Sequence, residues 1–300
     1  QGYSPICLTH TTRSNSTMLL KNRALEQLRS GQLAIGVGLR QARTVDIAKA
    51  MNTAGFDWMF IDMEHNSMSI DIAVQISVAA HAVGITPIVR VPGHEHYHAS
   101  RALDGGAQGI VVPHVDDANT AKQIVSNCKY PPLGHRSLAS ALPQLSFETL
   151  PPAEATEMIN QSTAVVVMLE TPDAIENAEE IAAVDGVDVL MIGANDLCLE
   201  LGIPGEYGNP TVVSACEHVF AACAKYKKYP GIGGIYAPEL IEQYIKLGAR
   251  WVLAGADLGF LMASARKQAA RRGAHQGEEK GDRDVAREEA AGGAGAPAEG

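Results

Sequence analysis

Trp58-Met59-Phe60-Ile61-Asp62-Met63-Glu64-His65 is an apolar run that stops abruptly in two acids and a histidine. A run bounded in this way reads as a buried strand. Acids and a histidine at the exit of a buried strand are where an α/β barrel keeps its chemistry. The pattern repeats along the chain. Apolar stretches at 33–39, 57–62, 86–90, 108–112, 164–169, 187–192, 231–236 and 251–254 read as eight strands. Helical spacing fills the gaps between them at 44–53, 69–83, 94–103, 116–127, 172–182, 210–225 and 238–247, with Gly55 and Gly84 as stops after the first two. Eight strands alternating with helices predict an α/β protein, a (β/α)8 TIM barrel. An open doubly wound sheet is disfavoured because no GxGxxG turn follows the first strand.

The remaining segments set the expected boundaries. Residues 1–19 read as a polar N-terminal arm, and 20–270 as the barrel domain, opened by a short helix at 20–30. From 271 to 300 the composition turns to Gly, Ala, Glu and Arg, which predicts a disordered C-terminal tail. One stretch breaks the rhythm: 130–162 carries Pro131-Pro132, Gly134, Pro143 and Pro151-Pro152, a long excursion with one helix near 152–160.

The bulk numbers exclude several classes. The formal charge of −10 and the 24 Lys and Arg against 34 Asp and Glu leave no basic footprint for nucleic acid. No apolar run approaches the roughly 20 residues that span a bilayer. Five scattered cysteines without a CxxC pair point to reduced thiols. With no signal-peptide pattern, the expected location is cytoplasmic.

Chemistry is read from position. Asp62 and His65 follow the second strand, Arg90 ends the third, and His114 follows the fourth; Glu170 follows the fifth and Asp196 the sixth. In a parallel barrel all these ends meet on one face. Glu170 and Asp196 are the candidate ligands of a hard divalent cation. Each carboxylate taken alone also reads as the cap of a following helix. Arg90 suits a carboxylate or enolate oxygen, because its planar fork donates in pairs. His65 is the candidate general base. The closely spaced His94, His96 and His98 read as a solvated helix start, since no acids or cysteines converge on them. No lysine falls in a predicted strand, which disfavours a Schiff-base mechanism and leaves a metal as the Lewis acid.

Six motifs in order complete the reading. They are Phe56-Asp57-Trp58 with Ile61-Asp62-Met63-Glu64-His65, Pro87-Ile88-Val89-Arg90-Val91-Pro92, and Leu103-Asp104-Gly105-Gly106-Ala107. After these come Tyr130-Pro131-Pro132-Leu133-Gly134-His135-Arg136-Ser137, Leu169-Glu170-Thr171 and Ile192-Gly193-Ala194-Asn195-Asp196-Leu197. Together, across 31–265, they resemble the HpcH/HpaI aldolase family. The resemblance implies a metal-dependent carbon–carbon lyase that cleaves 4-hydroxy-2-oxo acids to pyruvate and an aldehyde, or runs the reverse condensation. It implies Glu170 and Asp196 as ligands of Mg²⁺, Mn²⁺ or Co²⁺, Arg90 on the pyruvate enolate, and His65 as base with Asp104 as its acid partner. Asp62, His114, Ala194 and Asn195 are expected to bind substrate, with Arg136 and Ser137 of the excursion on the acceptor side. Small-molecule partners, pyruvate or oxaloacetate and an aldehyde, follow, as does a homo-oligomer, in this family often a hexamer with a swapped C-terminal helix.

The chain departs from the family pattern at Met168, where Gln is common, at Ala194-Asn195, and at His114 after Pro113. A histidine at the last position resembles the macrophomate-synthase-like members, which decarboxylate oxaloacetate. A lyase for CoA thioesters and a non-catalytic oxo-acid-binding barrel are the rival readings.

Overall fold

The computed structural model describes residues 20–271. The first elements are α1 (Arg23–Arg29), β1 (Ala34–Leu39), α2 (Ile47–Thr53), β2 (Trp58–Asp62), α3 (Ile70–Val83), β3 (Thr86–Arg90), α4 (His96–Asp104) and β4 (Gly109–Val112). They are followed by α5 (Ala118–Cys128), α6 (Pro152–Ser162), β5 (Ala164–Leu169), α7 (Pro172–Glu176), α8 (Ala178–Ala182), β6 (Val189–Gly193) and α9 (Ala194–Glu200). Last come α10 (Pro210–Tyr226), β7 (Tyr229–Gly233), α11 (Pro238–Leu247) and β8 (Trp251–Ala256), and a helix over 257–271, α12. The eight strands pair in parallel in chain order, and β8 closes on β1. This is the expected TIM barrel. The expected arm at 1–19 and all of the expected tail except Arg271, which ends α12, lie outside the described residues.

The strands are apolar without alternation because both faces are covered. β2, β3, β5 and β6 are buried at every position. One core lies between sheet and helices, and a second fills the barrel's interior. The N-terminal ends of the strands are sealed. Trp58 and Trp251 stack inside the barrel with ring centroids 4.1 Å apart. A Cβ on Gly36 would overlap the Trp58 indole, so β1 needs glycine there. Helix α1 lies across this end: Asn22 accepts from Leu25 N as its cap and donates to the carbonyls of Gln108 (3.0 Å) and Ser162 (2.7 Å).

Several boundaries differ from expectation for local reasons. The helix expected at 172–182 is broken at Asn177, whose side chain donates to Asp116 O at 2.8 Å. β7 ends at Gly233 rather than at 236, because Gly234 adopts φ +89 and leaves the sheet. Helix α9 begins at Ala194 and was not among the helices expected from apolar spacing. The excursion holds a 3₁₀ turn at Pro143–Leu145 and the expected helix as α6. Lys129, at its start, is buried and donates from Nζ to Asn160 O and Thr163 O at the feet of the strands. Among the described residues no helix is long and apolar enough to cross a membrane.

Candidate active site

The register of β2 against β3 sets Asp62 beside Arg90. Arg90 donates from Nε to Asp62 Oδ1 at 2.9 Å and from Nη2 to Oδ2 at 2.7 Å, a two-pronged pair. Its Nη1 lies 2.7 Å from Glu64 Oε2, and its guanidinium carbon stands 4.9 Å from the Phe60 ring centre. Burial works to raise the Asp62 carboxyl, but the Arg90 hydrogen bonds and charge, with the His65 and Glu64 amides, outweigh it and the net shift is downward. Those amides donate to Asp62 Oδ1 (3.0 Å from Glu64, 3.3 Å from His65), so the loop after β2 folds around this carboxylate. That fold carries the His65 side chain to the rim, half exposed.

Glu170, at the end of β5, is 1 % exposed. It fits because β6 carries glycine opposite: a Cβ on Gly193 would overlap the Glu170 carboxylate. Its Oε2 accepts from the His114 backbone N at 2.9 Å. His114 adopts φ +52, and its ring spans two acids, with Nδ1 3.4 Å from Glu170 Oε2 and Nε2 3.6 Å from Glu64 Oε1. Burial pushes the Glu170 carboxyl up to about 7; the His114 amide and ring oppose this, while the charges of Asp196 and Glu64 add to it. Asp196 stands in the first turn of α9. Beside it, Asn195 Oδ1 accepts from the Tyr207 hydroxyl at 2.6 Å.

Asp62, Arg90, Glu170, Asn195 and Asp196 help line a cavity of about 180 Å³ at the C-terminal ends of the strands. Arg40, Asp62, His65, Arg90, Glu170 and Asp196 supply its ionisable groups, and Met168, Met191 and Leu253 its apolar floor; no lysine lines it. Ala194 and Asn195 line it as well. The donor set fits a hard cation. Two acids, Glu170 after β5 and Asp196 in the first turn of α9, line one space, and burial opposes the charged form of Glu170. Among the described residues no three His, Cys, Asp or Glu side chains group for a metal, so the pair would leave the other positions to water and substrate.

Three expected residues lie elsewhere. Helix α4 runs back down the barrel and ends in Asp104, just before the foot of β4. The Asp104 carboxylate accepts from Arg136 Nη2 at 2.6 Å, and the Arg136 side chain is fully buried, 4.8 Å from the Tyr130 ring centre. Within one chain Asp104 therefore meets Arg136 and not His65, whose nearest acid is Glu64 at 3.7 Å. Arg136 and the exposed Ser137 do not line the cavity. Within one chain the excursion, expected at the acceptor side, packs with Asp104 near the feet of the strands. His114 stands beside the cavity through its two acids.

Sequence reasoning assigned no role to Arg40, Glu64, Gly193, Tyr236 or Asp257. Arg40 and Asp257 directly follow β1 and β8, so the strand-end rule applied to every strand would have found both.

The profile of the HpcH/HpaI aldolase/citrate lyase family matches residues 40–265. The 4-hydroxy-4-methyl-2-oxoglutarate aldolase of Hapsidospora irregularis is 38 % identical over 240 residues, covering 79 % of this chain and 89 % of that one. The 4-hydroxy-2-oxo-heptane-1,7-dioate aldolase of Salmonella typhimurium is 33 % identical, covering 85 % of this chain and 95 % of that one. Among solved structures, an HpcH/HpaI aldolase from Desulfitobacterium hafniense superposes with a TM-score of 0.79 at 28 % identity, covering 82 % of this chain and 95 % of that one. A parallel barrel with its charged groups gathered at one end, matched along most of its length by aldolases, belongs to the HpcH/HpaI aldolase/citrate lyase family and is a carbon–carbon lyase.

Proposed function

We propose that the chain is a metal-assisted aldolase that cleaves 4-hydroxy-2-oxo acids to pyruvate and a carbonyl compound, and runs the reverse addition. The observation that carries this is that two acids, Glu170 and Asp196, line the same cavity as the Arg90 fork, and that no lysine lines it to form an adduct. The relatives named above act on 4-hydroxy-2-oxo acids. Glu170 and Asp196 would hold Mg²⁺, Mn²⁺ or Co²⁺, which when bound supplies Lewis-acid stabilisation of enolate charge.

The chain's own groups do the rest. Arg90, locked by Asp62 and Glu64, has donors left for the 2-oxo oxygen, and its fixed position means little reorganisation as negative charge builds there. His65 removes the proton of the 4-hydroxyl during cleavage and returns it during addition. Ala194 and Asn195 border the carboxylate end of the substrate. Met168, Met191 and Leu253 keep water from beneath the enolate. His65 and Asp104 lie at opposite ends of the barrel within one chain and are both partly exposed. Their pairing, which the family resemblance implies, thus calls for a second copy in a homo-oligomer.

The experiment is pyruvate formation from 4-hydroxy-2-oxoglutarate. EDTA should abolish it, added Mg²⁺ or Mn²⁺ should restore it, and borohydride with pyruvate should leave it intact. Turnover that persists after thorough chelation, or that borohydride destroys, overturns the reading. A second activity, decarboxylation of oxaloacetate to the same enolate, is favoured by one observation, the His114 ring between Glu170 and Glu64.

A further inference from the structure

The cavity holds two guanidinium groups, and the reaction proposed above uses only one. Arg40 is the first residue after β1; its side chain is 45 % exposed and lines the rim. Its backbone is held unusually firmly. The amides of Arg40 (3.1 Å), Gln41 (2.8 Å) and Ala42 (2.7 Å) all donate to the carboxylate of Asp257, which opens α12. Three converging amides on one carboxylate fix the loop that carries Arg40. The side chain is partly anchored too, since Nη2 donates to the His65 carbonyl at 2.8 Å. Yet its charge is not consumed. The nearest acid, Asp62, is 3.7 Å from Nε, beyond hydrogen-bond distance, and both its oxygens already accept from Arg90. Arg40 Nη1 donates to no group among the described residues.

We infer that Arg40 receives the distal carboxylate of the substrate, so that the carbonyl fragment released or added is itself an acid. This rests on the aldolase reading. The 2-oxo acid end of the substrate goes to the Glu170, Asp196 and Arg90 side of the cavity, and carbon 4 to the neighbourhood of His65. Arg40 is tied to the His65 backbone, so the group beyond carbon 4 meets it first. A fixed, half-desolvated guanidinium with an open edge matches a carboxylate and gives nothing to an alkyl group. Arg40 is thus a specificity-determining residue, and Asp257 the residue that positions it.

The test compares 4-hydroxy-2-oxoglutarate with 4-hydroxy-2-oxopentanoate, which ends in a methyl group, on the full chain with Mn²⁺. The wild type should favour the dicarboxylate. Arg40→Leu should lower kcat/KM for the dicarboxylate about 10- to 100-fold more than for the methyl substrate, mainly through KM, and Arg40→Lys should recover part of the difference. Equal losses on both substrates, or a wild type without preference, overturn the inference. Deuterium exchange into the methyl group of pyruvate, measured on the wild type, separates the two levels. Exchange without Arg40-dependent discrimination removes only this inference; absence of both exchange and cleavage removes the aldolase reading beneath it as well.

Discussion

The two ends of the barrel are built from the same eight strands and solve opposite problems. At the N-terminal end two tryptophans stack, α1 lies across the opening, and Asn22 ties the feet of the strands together. At the C-terminal end acids and arginines crowd a small cavity, and one carboxylate is buried against its own preference. Stability is concentrated below and chemistry above, so substitutions at the two ends should separate the two properties.

The largest effect is expected at the upper end. Glu170→Gln removes a proposed ligand and should lower kcat/KM by about a thousandfold or more. It should also stabilise the metal-free fold. The Glu170 carboxyl titrates near 7 in the folded chain and near its ordinary 4.5 when unfolded. A raised folded value means stability is present below the unfolded value and is lost as pH rises through the folded one. Glutamine avoids that loss, so its gain, on the order of 1–3 kcal/mol, should be full at pH 8 and shrink toward pH 5 in thermal melts with EDTA. At the lower end the signs reverse. Gly36→Ala drives a methyl into the Trp58 indole and should cost about 2–3 kcal/mol, seen as a lower Tm, while kcat/KM of the folded protein stays within about threefold.

One prediction joins the ends. His65→Ala and Asp104→Ala should each impair turnover. Mixed in equal amounts and co-assembled, they should regain activity in about a quarter of the sites if the pair forms between copies; a mixture no better than its components removes that pairing. The smallest effect concerns protons. Metal binding needs Glu170 as the anion, so affinity for Mn²⁺ should fall about tenfold between pH 8 and pH 6, measured by titration calorimetry.

The contrast between the ends also explains what was legible in the sequence. Apolar runs that stop in Asp62 and Arg90, or are followed closely by Glu170 and Asp196, are legible because the charges recur at the same end of successive strands. The sealed lower end carries none: the need for glycine at 36 appears only once Trp58 stands beside it. Arg40 and Asp257 meet because β8 closes on β1 across 217 residues, a proximity that no periodicity encodes. Asp104 was named by motif alone, and its place beneath the barrel follows from the direction of α4. The break at Asn177 likewise depends on a carbonyl 61 residues away.

The central claim is that Glu170 and Asp196 together hold one divalent cation for the enolate. Titration of Mn²⁺ into metal-free protein, followed by electron paramagnetic resonance, measures this directly. The account predicts one tight site per chain in the wild type and its loss in both Glu170→Gln and Asp196→Asn. Undiminished Mn²⁺ binding in either folded variant would contradict it.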